Sequence, residues 1–223
     1  MVDWSPIILT LKLAGLTTLI LFIISIPLAY WLAHSKAKLK PFVEAIIALP
    51  LVLPPTVIGF YLLITFNPNG SIGSFFNNYL GLQLVFSFTG LVIGSIIYSL
   101  PFMVQPLQVG FSNLSKGMIE NSILLGKSKF TILTKVLLPN IKQAILTAII
   151  LTFAHTVGEF GVVLMIGGNI PKSTKVVSIA IYEQVESLNY DAAHIYSGIL
   201  MLCSFLILLT IYLFKNKSVK WLK

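Results

Sequence analysis

Arginine is absent from this 223-residue chain, cysteine occurs once, and charged residues of either sign make up only 10% of it. Soluble domains carry about 25% charged residues, so this chain has too few charged side chains for a surface that faces water. Hydrophobic residues make up 57% of the chain. We therefore expect residues 1–223 to form a single domain whose surroundings are mostly lipid.

The absence of arginine also bears on the net charge of +8, which comes entirely from lysines. Proteins that read nucleic acid usually rely on arginine forks. The lysines here lie in short loops between apolar runs, where the excess of positive charge on cytoplasmic loops of membrane proteins explains them better. We therefore expect a membrane-lipid environment and no nucleic-acid partner.

Motifs for enzyme chemistry are missing as well. The chain contains no nucleophile elbow, no phosphate-binding loop and no paired-carboxylate motif. Cys203 lies in an apolar run, and His34 and His194 have no metal-ligand spacing. We expect no catalytic residue, cofactor or metal on this chain; if it uses ATP and Mg²⁺, a separate ATPase binds them.

What the chain does have is long apolar runs. A membrane-spanning helix needs about 20 apolar residues, and lipid forces the backbone of such a run to satisfy its own hydrogen bonds. The predicted spans are residues 11–33, 45–66, 85–110, 142–166 and 195–214. The sequence therefore predicts an all-α membrane protein of five transmembrane helices in the cell membrane.

The loops predict the orientation. The loop His34–Pro41 holds three lysines and the loop Gly110–Lys142 holds five, whereas Asn67–Leu84 has no charged residue. Four more lysines follow Phe214. Because lysine-rich loops stay in the cytoplasm, we expect the N-terminus outside and the C-terminus in the cytoplasm.

The long loop between spans three and four, residues 112–140, is the most informative segment. Its pattern predicts two short helices around a bend at Gly126, with Ser115 and Ser128 as N-caps. Phe130, Leu133 and Leu137 fall on one side at helical spacing, and Pro139 ends the second helix or opens the next span. The loop is either a solvated connector or a docking surface for a cytosolic partner.

This loop resembles the EAA loop of ABC importer permeases. In that family the loop reads Glu-Ala-Ala, three residues, Gly, nine residues, Ile, one residue, Leu-Pro. Glu120, Gly126, Leu138 and Pro139 match, Asn121 and Ser122 replace the two alanines, and Val136 replaces isoleucine. The resemblance implies that Glu120–Leu125 is a coupling helix that sits in a groove of the ATPase subunit.

Two further stretches resemble the molybdate permeases within that group. One is the proline-rich stretch Leu49–Phe60, and the other is Gly158–Gly161 with the following Asn169–Thr174. Sulfate permeases are close relatives, so the resemblance implies transport of a small oxyanion, with molybdate favoured over sulfate or tungstate.

Pathway candidates come from the second and fourth spans. Pro50, Pro54 and Pro55 each remove a backbone donor, so this helix either lines the pathway or carries a static kink. Glu159 is the only acid inside a predicted span. It either orients a gate, pairs with His155 four residues earlier, crosses to a second subunit, or lies solvated at the span's outer end. The remaining candidates are small or hydroxyl-bearing residues: Thr56, Thr152, Gly158 and Gly161.

Several functions compete at this stage. Five spans make a small pathway wall, so an ABC permease would work as a homodimer with two cytoplasmic ATP-binding subunits and an extracytoplasmic oxyanion-binding protein. A stand-alone secondary anion carrier is the alternative, but it leaves the long loop without a use and usually shows more charges within the membrane.

Overall fold

The computed structural model of the protein describes residues 3–219, and this part of the chain is helical without any strand. The all-α prediction is confirmed. The helices are α1 Ser5–His34, α2 Lys40–Ala48, α3 Pro55–Thr65, α4 Ser71–Leu80, α5 Phe88–Ser112, α6 Lys116–Leu124, α7 Lys129–Ile132, α8 Leu138–Asn140, α9 Lys142–Val157, α10 Gly161–Gly167, α11 Val177–Glu186 and α12 Tyr190–Val219.

Three of these helices, α1, α5 and α12, are long and apolar enough to cross a membrane, and two bent helix pairs raise the total to as many as five. The second predicted span, residues 45–66, is one of the bent pairs. A 3₁₀ turn at Leu49–Leu51 follows α2. The helix α3 then starts at Pro55, and it is bent by 109° relative to the segment Lys40–Leu51. Pro50, Pro54 and Pro55 account for this break, because none of them donates a backbone hydrogen bond.

The fourth predicted span, residues 142–166, also differs from a single helix. It is interrupted between the end of α9 at Val157 and the start of α10 at Gly161. The segment before it, Lys129–Asn140, is bent by 78° relative to α9. Unwound backbone at membrane depth is tolerated where protein covers it or where it lines a cavity.

The apolar core has two main parts, one at each end of the bundle. In one part, the C-terminal ends of α1 and α5 pack against α2 and against the segment that follows α6. Leu32, Ile47, Phe111 and Ile132 make these contacts. The lysine-rich loops 35–39 and 113–141 therefore lie at the same end, which we call the lysine-rich end.

The opposite end of the bundle holds α11 and the start of α1. The second part of the core lies here and includes Leu13, Leu91, Ile166 and Ile179. The Val177 amide donates to Thr10 Oγ1 at 2.8 Å, which fixes the start of α11 against α1. The long helices α1 and α5 pack together and connect the two ends.

Candidate functional site

The loop 112–140 has the predicted helix–glycine–helix form. The helix α6 ends in a Schellman motif: the Gly126 amide donates to Ile123 O at 2.9 Å, and the Lys127 amide donates to Ser122 O at 3.1 Å. Gly126 has a φ of +69°, in the left-handed region that favours glycine. A Cβ at this position would meet no atom within 4 Å, so the backbone conformation and not crowding calls for glycine here.

Of the two predicted N-caps, Ser128 is confirmed and Ser115 is not. Ser128 caps α7, because its Oγ accepts a hydrogen bond from the Thr131 amide at 3.2 Å. Ser115 has the extended backbone of an N-cap, but its side chain makes no capping hydrogen bond, so the predicted side-chain cap is wrong.

The predicted apolar side of the second helix is confirmed for Leu137, which is buried, and for Leu133, which packs half-buried against the core, but it is wrong for Phe130. A π-helical turn at Leu133–Leu137 inserts extra backbone and shifts the register, so Ile132 and Leu137, five residues apart, are the buried pair. Phe130 is 75% exposed. The reason is local: Pro139 supplies no amide to the preceding turn, and Leu138 donates instead to Leu133 O, five residues back.

Two of the three motif residues on α6 face away from the protein. Glu120 and Asn121 are exposed, and Ser122 is the only buried residue of α6, with its Oγ donating to Met118 O at 2.7 Å. Large apolar side chains are exposed beside them, and Leu124 reaches 84%. We call Ile123, Leu124, Leu125 and Phe130 the docking patch.

The chain bends sharply at the end of the loop, between α8 and α9. Leu138 is half-buried and Pro139 is exposed in the short helix α8. The chain turns at Ile141, where φ is −103° and ψ is 19°, and α9 begins at Lys142. This bent segment connects α6 to α9.

The two interrupted spans touch each other at their breaks. A Cβ on Gly161 would lie 2.7 Å from Pro55 Cβ and 3.2 Å from the Thr56 amide nitrogen. A Cβ on Gly59 would lie 2.7 Å from Met165 Cβ. The helices α3 and α10 therefore approach each other closely because both carry glycine at the contact.

Glu159 lies in the break between α9 and α10 and is 4% exposed, so it is not solvated at a span end. Ser95 Oγ of α5 donates to its Oε2 at 2.7 Å, and Ser178 Oγ of α11 donates to its backbone carbonyl at 2.6 Å. Glu159 Oε1 is buried and has no hydrogen-bond partner within the described residues. This residue thus connects the break to two other helices.

His155 does not pair with Glu159, which corrects one of the predicted roles. Its Nδ1 lies 2.9 Å from Ser99 Oγ, and its ring stacks on Phe102 with centroids 4.0 Å apart. The helix α9 ends at Val157, so Glu159 no longer follows the helical spacing that would have placed it beside His155. Ser95 and Ser99 of α5, four residues apart, bind the two side chains separately.

The other pathway candidates make fewer contacts with the rest of the protein. Thr152 is buried, and its carbonyl accepts a hydrogen bond from Thr156 Oγ1 at 2.9 Å. Thr56, Pro54 and Gly158 are exposed, while Pro50 and Pro55 are half-buried. The structure therefore brings together Pro55, Thr56 and Gly161 at one contact and His155 and Glu159 along α5, but not all nine candidates.

Several polar residues of these contacts were not predicted. Ser95, Ser99 and Ser178 bind the pathway candidates, and Gln108 Nε2 donates to Glu44 Oε1 at 2.6 Å near the lysine-rich end. A spacing pattern in the sequence could have identified two of them. Ser95 and Ser99 repeat the four-residue spacing of His155 and Glu159 in another apolar span.

Comparisons with known proteins define the class. The family of binding-protein-dependent transport system inner membrane components matches residues 25–220. The chain belongs to this family, and it is a multi-pass membrane permease of the ABC importer type.

Its fold agrees with two solved transporters. One imports the acidic polysaccharide alginate (TM-score 0.77, 17% identity, 96% of this chain and 78% of the other covered). The other is the MetNI methionine ABC transporter (TM-score 0.71, 18% identity, 98% and 94% covered).

Among named relatives, the chain is 48% identical to the molybdenum transport system permease protein ModB of Azotobacter vinelandii over 211 residues, which is 94% of this chain and 93% of ModB. It is also 31% identical to a probable sulfate transport system permease protein, cysT, of Chlorella vulgaris, over 95% of this chain and 79% of that protein.

Proposed function

We propose that this permease carries molybdate across the cell membrane as one half of a homodimer, driven by two cytoplasmic ATP-binding subunits that bind ATP and Mg²⁺. An extracytoplasmic oxyanion-binding protein delivers the anion. The docking patch is the observation that carries the ATP-driven part of this proposal. Four large apolar side chains stay exposed on a loop that is outside the predicted spans, and such a surface is a typical protein interaction site.

The shape of the loop supports coupling to a motor. The Schellman motif at Gly126 fixes the end of α6, and the bent segment up to Ile141 connects α6 to α9. When the ATP-binding subunits close, they would shift α6 and tilt α9. The break at Glu159 and the Gly161–Pro55 contact would then pass this shift to α3, moving the permease between inward and outward states.

The choice of molybdate is supported by the 48% identity to ModB, against 31% for the sulfate relative. Sulfate, and tungstate with the same charge and shape, are the alternatives. Lys142, at the first position of α9 next to the lysine-rich loop, is the only lysine in α3, α9 and α10, so tight binding of the anion inside the permease is not expected, and the binding protein would set the specificity.

The test is uptake into vesicles that contain the permease, its ATP-binding subunits and internal ATP, with the binding protein outside. We expect ATP-dependent accumulation of molybdate that excess sulfate does not suppress. Uptake of sulfate with molybdate ignored would overturn the substrate assignment. Uptake that continues without ATP or the ATP-binding subunits would instead point to a secondary carrier.

A further inference from the structure

The short helix α4, Ser71–Leu80, is amphipathic, although the sequence around it has no charge. Its apolar residues recur at the spacing of one helix side, in the order Ile72, Phe75, Phe76, Tyr79 and Leu80. The other side carries serine, asparagine and glycine. We call these five apolar residues the α4 stripe.

The α4 stripe faces away from the protein. Tyr79 is 79% exposed, Ile72, Phe75 and Leu80 are exposed as well, and Phe76 is half-buried. Gly73 is the only buried residue of α4, and it lies so close to the chain at Phe66–Asn67 that a Cβ there would overlap the Asn67 carbonyl. A helix on the surface of a water-soluble protein packs its apolar side inward, whereas four of the five apolar residues of α4 are exposed.

The position of α4 explains this orientation. The helix begins six residues after the end of α3 at Thr65. The connection is a short turn in which the Gly70 amide donates to Asn67 O at 2.8 Å. Since α3 forms part of a candidate membrane span, its end must lie near the membrane boundary, and α4 starts at the same level.

We propose that α4 lies flat in the membrane interface, with the α4 stripe inserted among the upper acyl chains and headgroups of the adjacent lipid leaflet. Helices of this kind bury their apolar side about 5–10 Å into that boundary. Phe75 and Tyr79, whose ring centroids are 5.2 Å apart, supply the aromatic groups that prefer this zone. Residues 67–84 contain no lysine, so insertion does not require anionic lipid.

Charge and area favour lipid over a protein as the occupant. A soluble partner that binds and leaves is usually steered by complementary charge, and this segment offers none. A second copy of the chain would need about 20–30 residues on each side for a stable interface. The α4 stripe supplies only five, so it is too small to hold a dimer by itself.

The experiment places single cysteines in the full chain after Cys203→Ser removes the native thiol. Tyr79→Cys and Phe75→Cys report on the α4 stripe, and Asn78→Cys is the matched control on the polar side of the same helix. Each variant is labelled with an environment-sensitive fluorophore and reconstituted into phosphatidylcholine vesicles. Some vesicles carry a spin-labelled lipid whose label is near the headgroup, and others carry the label near the end of the acyl chain.

We expect the fluorophores at positions 79 and 75 to show blue-shifted emission. They should also be quenched more strongly by the spin label near the headgroup than by the one near the end of the acyl chain. The fluorophore at position 78 should keep the emission seen in water and lose little fluorescence. Water-like emission on both sides of α4 would overturn the proposal, because the stripe would then be free for a soluble partner.

Two other outcomes would also contradict it. A blue shift at position 79 that appears only at high protein-to-lipid ratio would indicate a second copy of the chain. Stronger loss with the deep label would indicate that the segment enters the membrane core. If Tyr79→Cys does not give a monodisperse protein, Leu80→Cys on the same stripe carries the test.

Discussion

Glu159 places a carboxyl group among buried helices, and Ser95 makes the only hydrogen bond to that group within residues 3–219. We expect Ser95→Ala to lower the free energy of unfolding by about 1–2 kcal/mol, because the carboxyl then loses its partner. Ser25 is the matched control: it is equally buried, and its hydroxyl has no partner in the described part of the chain. Ser25→Ala should be neutral or slightly stabilising.

The measurement is the thermal unfolding midpoint of each variant in the same detergent, with a double variant that also carries Glu159→Gln. If the Ser95 hydrogen bond matters, the effects of Ser95→Ala and Glu159→Gln will not add. Equal midpoints for Ser95→Ala and Ser25→Ala would contradict the assigned contact.

Gly126 gives a second prediction at the scale of one residue. Its φ of +69° costs an L-residue about 1 kcal/mol, so Gly126→Ala should weaken the end of α6. In the reconstituted transporter we expect less molybdate moved per ATP hydrolysed, while the spans stay folded. Gly117→Ala is the control within α6, since a Cβ there meets nothing within 4 Å and φ is not positive.

The measurement is the ratio of uptake to phosphate release in the same vesicles. Equal losses in Gly117→Ala and Gly126→Ala would mean that added bulk on α6, not the bend, is what disturbs coupling. An unchanged ratio in Gly126→Ala would contradict the role given to the bend.

At the scale of elements, the contact between α3 and α10 depends on two glycines. A Cβ on Gly161 meets the rigid ring of Pro55, which cannot move aside as a long side chain could. We expect Gly161→Ala to destabilise the protein by about 1–3 kcal/mol through overpacking. Gly15→Ala in α1 is the control, because its Cβ would meet nothing within 4 Å.

Unfolding midpoints and uptake should be measured together for this pair of variants. A folded Gly161→Ala protein with wild-type uptake would show that the two breaks do not move against each other. Loss of stability in Gly15→Ala as well would indicate a general sensitivity of the spans and not this contact.

The segment before α11 predicts a pH dependence. Lys175 Nζ donates to Glu183 Oε2 at 2.6 Å, and this hydrogen bond holds the pKa of Glu183 below its ordinary value, with Asn169 as a second donor. A carboxyl whose pKa is lowered by folding stabilises the protein above its unfolded-state pKa, and this stabilisation is lost as the pH falls through the folded-state pKa.

We therefore expect Glu183→Gln to unfold at a lower temperature than the wild type at pH 7. The difference should shrink as the pH is lowered through the carboxylate range. Since Glu183 is partly exposed, the effect will be modest and weaker in high salt. A difference that stays constant from pH 7 to acidic pH would show that the ion pair is not its cause.

The elements differ in how far the sequence could predict them. The bend after α6 was predictable because a Schellman motif is local: glycine and the preceding turn suffice to form it. The contacts made at the break by Glu159 were not, because its partners Ser95 and Ser178 are 64 and 19 residues away. The π-helical turn before Pro139 has a local cause and was missed because the predicted apolar side assumed regular α-helical spacing.

At the scale of the whole molecule, the packing brings separate lysine-rich loops to one end. Tyr30 and Phe111 contact each other with ring centroids 5.5 Å apart, so the ends of α1 and α5 are neighbours. At the opposite end, Tyr196 donates to the Asp3 carbonyl at 2.9 Å, and α4 belongs to the uncharged loop. This separation is what the positive-inside rule requires of a protein with its N-terminus outside.

The orientation can be tested with two cysteines in a Cys203→Ser background. Lys129→Cys lies in the loop 112–140 and Asn69→Cys in the uncharged loop, and both positions are exposed. A membrane-impermeant thiol reagent should label Asn69→Cys in intact cells and Lys129→Cys only after permeabilisation. The reverse pattern would place the docking patch outside, where no ATP is available and no cytoplasmic ATPase can reach it. Because the docking patch carries the proposed coupling, that result would remove the ATP-driven mechanism while leaving the helical fold and the α4 proposal intact.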